Sequence, residues 1–217
     1  MRDRLNSLRR GAGSSATAVL ILVVLALAGC GTQAPPRFHS LMPTDITARP
    51  ATPAASGVVV RLDPVRVPVQ VDQPQWLVQL GDDSMAVLEQ ERWASPLRDE
   101  FQQALLEELI VGQGAIDART QPGAGAAAVR VAVDVRRFDS LPGREARIEG
   151  SWTITGADAR SASRCEWLIR EPASGSFTAL AAAHRRAVAR LGAAMGPAIA
   201  RAARGEAARC PAPDAGR

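Results

Sequence analysis

Two histidines, three cysteines and a few adjacent acids are the residues from which any reactive site in this sequence would have to be built. The acid pairs are Asp82-Asp83, at the tip of what reads as a hairpin turn, and Glu107-Glu108, which helical spacing puts on an outward face. Both patterns predict solvated charge rather than a matched general acid and base. His184 falls on the apolar stripe of a long helix with no partner the sequence reveals, so a packed histidine is expected over a catalytic base. Gly112-Gln113-Gly114 follows a helix instead of a strand and has no basic follower, which a phosphate loop requires. No serine stands in a Gly-x-Ser-x-Gly setting. A metal site needs more ligands than His39, His184 and two distant cysteines provide, so no metal or cofactor is implied.

Cys30 is different, because its surroundings specify a modification. Residues 1–15 are basic and polar, Ala16 to Ala28 is an almost unbroken apolar run of 13 residues, and Leu27-Ala28-Gly29-Cys30 closes it. A charged segment, a short apolar segment and a small-residue cleavage site make a secretory signal. A helix needs roughly 17 apolar residues to span a bilayer, so a retained membrane anchor fits less well. Leu-Ala-Gly-Cys resembles the lipobox of bacterial lipoproteins, whose cysteine takes diacylglycerol on its sulfur and becomes the first residue of the mature chain. At about 0.8 kcal/mol per buried methylene, two or three acyl chains hold a protein on a membrane durably. Gly31, where an aspartate would signal retention, points to the outer membrane. Arg9-Arg10 lacks the rest of a twin-arginine signal, which leaves general secretion.

All 26 basic residues are arginine and oppose 22 acids; Arg2, Arg4, Arg9, Arg10 and Asp3 lie in the first 29 residues, leaving 22 against 21. That balance excludes the clustered positive excess that nucleic-acid binding requires. In an oxidising periplasm Cys165 and Cys210 are a pair available for a disulfide, the alternative being a buried free thiol at Cys165 and an unpaired Cys210. An exported chain without a chemical constellation is expected to bind or assemble, not to act as an enzyme.

The elements follow from periodicity. Residues 30–37 are expected to be the lipidated cysteine and a short tether, residues 38–210 a single domain, and residues 211–217 a disordered tail. Phe38 to Leu41 reads as a first strand, 42–57 as a Pro- and Thr-rich loop, and Val58 to Val71 as an edge strand or two strands meeting at a bend, because Pro64 and Pro68 lack a ladder donor. Gln75 to Leu80 and Met85 to Leu88 flank the turn Gly81-Asp82-Asp83-Ser84. A helix is expected to begin with Ser95 as cap and Pro96 at its first position, to bury Leu97, Phe101, Ala104, Leu105 and Leu109, and to stop at Gly112 and Gly114. Strands at Val129–Arg136, Ala146–Gly156 and Ser161–Arg170 make an antiparallel meander. A final amphipathic helix from Ser176 carries Phe177, Leu180, His184, Val188, Leu191 and Met195, with Gly196-Pro197 expected to kink or end it. The predicted fold class is α+β, a mostly antiparallel sheet with two main helices on one face.

One tract is more distinctive. Val67-Pro68, then Asp72-Gln73-Pro74-Gln75 before an apolar strand, then Glu91-Arg92-Trp93-Ala94-Ser95-Pro96-Leu97 opening a helix, resembles the signature of the PqiC family, the ABC-type transport auxiliary lipoproteins. The Val129 to Phe138 strand, the Trp152 strand, the lipobox and the long last helix are similar too, so the resemblance extends over nearly the whole mature chain. Departures are Gln73 for an arginine, Trp76 for a branched aliphatic and Ser84 for an asparagine. The resemblance implies a non-enzymatic accessory subunit of an MCE-type system that moves lipid or solvent between the inner and outer membranes. Its partners would be a periplasmic MCE-domain protein and its inner-membrane transporter, with the chain held at the inner leaflet of the outer membrane by acylated Cys30 and able to form a homo-oligomer. A free-standing periplasmic lipoprotein carrying lipid or a small ligand between helix and sheet is the alternative. Trp93 either packs under the helix start or, with Arg92, forms a partner surface; Arg92 is the better interface candidate because it is harder to bury.

Overall fold

A computed structural model of the chain describes residues 34–43, 55, 57–81, 84–123, 127–158 and 162–210. The chain divides into two units, Met1–Pro35 and Pro36–Arg217, and the elements of the described residues lie in the second. In order they are β1 (Arg37–His39), β2 (Val59–Leu62), β3 (Gln75–Gln79), β4 (Met85–Trp93), α1 (Leu97–Glu107) running into a π-helical turn (Glu108–Gly112), β5 (Ile116–Asp117), a 3-10 turn (Ala118–Thr120), β6 (Val129–Leu141), β7 (Glu145–Thr155), β8 (Ala162–Pro172) and α2 (Phe177–Ala203).

The class is α+β, with the strands sorted into two sheets rather than one. The larger has the order β5-β2-β6-β7-β8, the smaller β1-β4-β3. The β6-β7-β8 meander and the β3-β4 hairpin are antiparallel; β1 on β4, and β2 on both β5 and β6, are parallel. Thus β2 is not an edge strand, although only the two-residue β5 covers its outer side. Its regular pairing ends at Leu62, just before Pro64, and an isolated bridge from Arg66 to Asp134 continues the contact with β6.

The long strand β6 changes its inward face partway. Val129, Val131, Val133 and Val135 are buried on the odd positions; the register then shifts between Val135 and Arg137, after which Phe138 and Ser140 point inward on the even ones. An inserted residue in one strand of a pair has this effect on side-chain parity. Opposite the bulge stands Gly150, paired with Val135; a Cβ there would overlap the Asp134 carbonyl oxygen and come within 2.7 Å of the Trp167 ring. The absence of a side chain at 150 lets the bulge and the indole coexist.

Helix α2 covers the inner face of the meander with Leu180, Ala183, Ala187, Val188, Leu191, Met195 and Ile199, each at most 1% exposed. Ser176 caps it, its Oγ accepting from the Ala179 N–H at 3.1 Å. The helix runs through Pro197 to Ala203 instead of ending there. Proline inside a helix costs about 3 kcal/mol, but the turns beyond it bury Ala198, Ile199 and Ala202, and that apolar burial outweighs the loss. At α1 the expectation about the cap also fails. Pro96, whose side chain has no acceptor to offer, occupies the N-cap, and Ser95, one residue earlier, donates its hydroxyl to Glu100 Oε1 at 3.0 Å. The two helices meet where the π turn places Glu108 against Gly192.

Gly150→Ala is expected to lower unfolding stability by roughly 3 kcal/mol, as overpacking against a rigid backbone atom does. A urea titration followed by tryptophan fluorescence reads the shift; an unchanged midpoint would mean that the strand relaxes freely at the bulge.

Candidate functional site

His184, one of two histidines, has the chemistry of a general base, and the fold closes it off. Its side chain is 0% exposed, its ring stacks on Phe138 at 4.0 Å and 8°, and Trp76 and Trp93 stand 6.3 and 6.1 Å away. Nε2 shares a 2.8 Å hydrogen bond with Ser140 Oγ, which also accepts the Trp76 indole N–H at 2.8 Å; Nδ1 has no partner. Burial pushes the imidazole pKa down from 6.5 to about 3, so the ring is neutral across the physiological range. A base with no path to solvent, surrounded by aromatic rings, orders a core. Five of the chain's eight Trp and Phe residues (Trp76, Trp93, Phe101, Phe138, Phe177) join this one cluster.

The acids are structural too. The expectation for Glu107-Glu108 is half right: Glu107 is partly exposed, whereas Glu108 is 6% exposed, because the widened π turn rotates it inward toward α2. Asp82 and Asp83 lie outside the described residues. Two further carboxylates, Glu91 and Glu100, are buried and act as a clamp on the segment that follows the tether. Glu91 takes Arg37 Nη2 on one oxygen and His39 Nε2 on the other at 2.6 Å. Glu100 accepts from Ser40 Oγ at 2.7 Å and the Leu41 N–H at 2.8 Å, while Arg185 donates to the Ser40 carbonyl at 3.0 Å. Buried carboxylates persist where donors replace water, and here the donors come from residues 37–41. Among the described residues, no group of three or more His, Cys, Asp or Glu could hold a metal ion.

A cleft of about 420 Å³ is lined by Arg61, Asp63, Gln102, Leu106, Asp117 and Arg119, among others. Both of its aspartates are paired with arginines. Arg119 bonds Asp117 at 2.9 Å, holding that carboxyl below the usual aspartate range, and Asp63 takes Arg130 at 2.7 Å.

Arg92 and Trp93, considered together as a partner surface, are divided by the sheet. Trp93 is 2% exposed and packs against Trp76 at 4.5 Å, so its place on a partner surface is corrected to the core. The cause is strand alternation: β4 turns Glu91 and Trp93 inward and Arg92 outward. Arg92 is half-buried, its Nε donating to the Glu89 carbonyl at 3.0 Å. Cys165 and Cys210 are bonded, with Cα atoms 5.3 Å apart, tying the chain beyond α2 to β8. Cys30 lies outside the described residues.

The sequence reading overlooked the outer face of the small sheet. Phe38 is 62%, Met85 54% and Val87 46% exposed, and Leu80 beside the turn is 65% exposed. The available signal was that β3 and β4 carry apolar residues at successive positions (Trp76-Leu77-Val78, Met85-Ala86-Val87-Leu88), so both faces of the hairpin are apolar.

For His184 the sign of the pH effect follows from its lowered folded pKa. The unfolded chain binds a proton below pH 6.5 that the folded chain refuses until about 3, so stability is lost as pH falls through that window. His184→Gln, which keeps a polar group facing Ser140, is expected to flatten the dependence of the urea midpoint on pH, by up to about 1.4 kcal/mol per pH unit at the steepest. Parallel pH profiles for the two proteins would contradict a neutral buried imidazole.

Residues 39–196 match the family model of the ABC-type transport auxiliary lipoprotein component. No curated protein matches the chain. Among solved structures, the crystal structure of an uncharacterized protein aligns with TM-score 0.61 at 16% identity, covering 75% of this chain and 97% of that one. A Xanthomonas campestris protein aligns with TM-score 0.56 at 18% identity, over 81% of this chain and 95% of its own. These two likenesses concern the fold, while the family model concerns the sequence of most of the domain. On that match the chain belongs to the ABC-type transport auxiliary lipoprotein family.

Proposed function

We propose that this protein is a non-enzymatic accessory subunit of an MCE-type system that carries lipid or solvent between the inner and outer membranes, anchored through acylated Cys30 to the inner leaflet of the outer membrane. The observation that carries the reading is the family match over residues 39–196, which makes the chain an auxiliary component of ABC-type transport. The lipobox Leu27-Ala28-Gly29-Cys30 supplies the anchor, and Gly31 favours forwarding to the outer membrane.

The fold supports a mechanical role. A lipid anchor positions a domain only if the chain beyond the tether is fastened to it, and Glu91 and Glu100 fasten residues 37–41. Six tether residues at about 3.1 Å each reach about 20 Å, so the domain stays near its bilayer and meets partners laterally or from the periplasm. A free-standing lipid carrier needs an open apolar pocket between helix and sheet. That space is filled here by Phe101, Leu105, Leu109, Trp152, Leu191 and Met195, each fully buried, and the cleft beside it presents charged arginine and aspartate side chains that suit an acyl chain poorly. The partners are a periplasmic MCE-domain protein and its inner-membrane transporter, and self-association into a ring would match a symmetric MCE assembly.

Affinity capture of the full acylated protein from mild detergent extracts is expected to recover an MCE-domain protein, and Cys30→Ala to remove the chain from the outer-membrane fraction. Repeated capture without any MCE-domain protein, under conditions that preserve other envelope complexes, counts against the transport reading. Unchanged outer-membrane fractionation of Cys30→Ala counts against the anchor.

A further inference from the structure

Register and exposure together define an unpartnered sheet face close in sequence to the anchor. Directly paired residues point to the same side of a sheet. The pairs Leu77↔Val87, Gln79↔Met85 and Gln75↔Arg92 put these six residues on one side of the β3-β4 hairpin, and the parallel pair Phe38↔Arg92 adds Phe38 from β1. Trp76, Val78, Trp93 and His39 occupy the opposite side, which packs on the core. The outward side therefore carries Phe38, Leu77, Val87 and Met85, continued by exposed Leu80 and interspersed with Gln75, Gln79 and Arg92. Among the described residues no strand covers β4 beside Met85–Gln90 on its β1 side.

We propose that this face lies against the headgroup layer of the bilayer that holds acylated Cys30. The inference rests on the anchor assigned above. Three observations select a lipid surface as its occupant. Phe38 is the eighth residue after Cys30, so a fully extended connection separates the two by at most about 28 Å. Phe38 cannot swing away from the domain, because its neighbours Arg37, His39, Ser40 and Leu41 are held by Glu91 and Glu100. Arginines border the face: Arg92 lies on it, bonded to the Glu89 carbonyl with the exposed Glu89 carboxylate 4.0 Å away, and Arg37, paired with buried Glu91 through Nη2 but 72% exposed, flanks it. Exposed aromatic and aliphatic side chains beside arginines fit the region between anionic headgroups and acyl chains. The acyl anchor supplies the attachment, and the sheet face fixes the orientation, so that the remaining surface of the domain is presented to the periplasm.

The test uses the full acylated protein in vesicles of phosphatidylethanolamine and phosphatidylglycerol, with acylation of Cys30 followed by palmitate labelling. Phe38→Trp and Val87→Trp add a fluorophore at exposed positions, while the four native tryptophans are all buried and give a constant background. Ala203→Trp, at the far end of α2, is the reference. Near-ultraviolet circular dichroism checks that the core is undisturbed. With bromine-labelled acyl chains in the vesicles, the emission added at 38 and 87 is expected to be quenched severalfold more than that added at 203. Equal quenching at all three positions of an acylated protein overturns the docking and leaves the anchor intact. Recovery of an envelope protein by the acylated chain that Phe38→Ser/Val87→Ser abolishes, without preferential quenching at 38 and 87, assigns the face to a protein and likewise overturns it. If Cys30 carries no palmitate, the anchor reading fails, and unquenched emission at 38 and 87 then overturns the docking as well.

Discussion

The small sheet is seated on the large one through two buried indoles, Trp76 bonded to β6 and Trp93 packed on it. Trp76, at 1% exposure, meets Trp93 from its own sheet, His39 from the strand after the tether, Phe177 and His184 from α2, and donates to Ser140 on β6. A buried tryptophan supplies a large apolar surface and one obligatory donor, and here a single serine satisfies the donor while the ring fills the junction. Ser140 reaches that position only because the bulge after Val135 reverses the inward face of β6, and the bulge is tolerated only because residue 150 is glycine. A chain of local requirements thus leads from Gly150 to the seating of the β3-β4 hairpin.

Two functional consequences follow from this junction. It makes His184 a neutral packing element between Phe138 and the indoles. It also leaves the reverse side of the small sheet bare, since a hairpin that packs through one face exposes the other. The buried carboxylates complete the arrangement: Glu91 and Glu100 hold the entry strand through hydrogen bonds, so residues 37–41 are fixed to the rest of the domain. For an accessory component, rigid presentation of a surface is the chemistry that matters.

Much of this was legible in the residues. The meander, the hairpin, both helices and the α+β class follow from alternation and helical spacing, and the lipobox and the Val67 to Leu97 tract pointed to the family. What was not legible has a common cause, tertiary context overriding a local rule. Gly196-Pro197 reads as a kink or an end, and the helix continues past it with Ile199 and Ala202 buried beyond; Ser95 reads as a cap, but the helix begins one residue later, with Pro96 at the N-cap. Glu108 reads as solvated until the π turn rotates it inward. The division of the strands into two sheets depends on parallel pairings, β1 with β4 and β2 with β6, between segments far apart in sequence, for which no local pattern exists.

The proposed role depends on the thiol of Cys30: acylated, it would link the domain to a membrane and give the exposed face of the small sheet a surface to meet. Intact-mass and peptide mass spectrometry of the protein purified from membranes tests this most directly. The account predicts a mature chain that begins at Cys30 and carries a diacylglycerol thioether; a chain retaining residues 1–29, or beginning elsewhere with Cys30 as a free thiol, would contradict it.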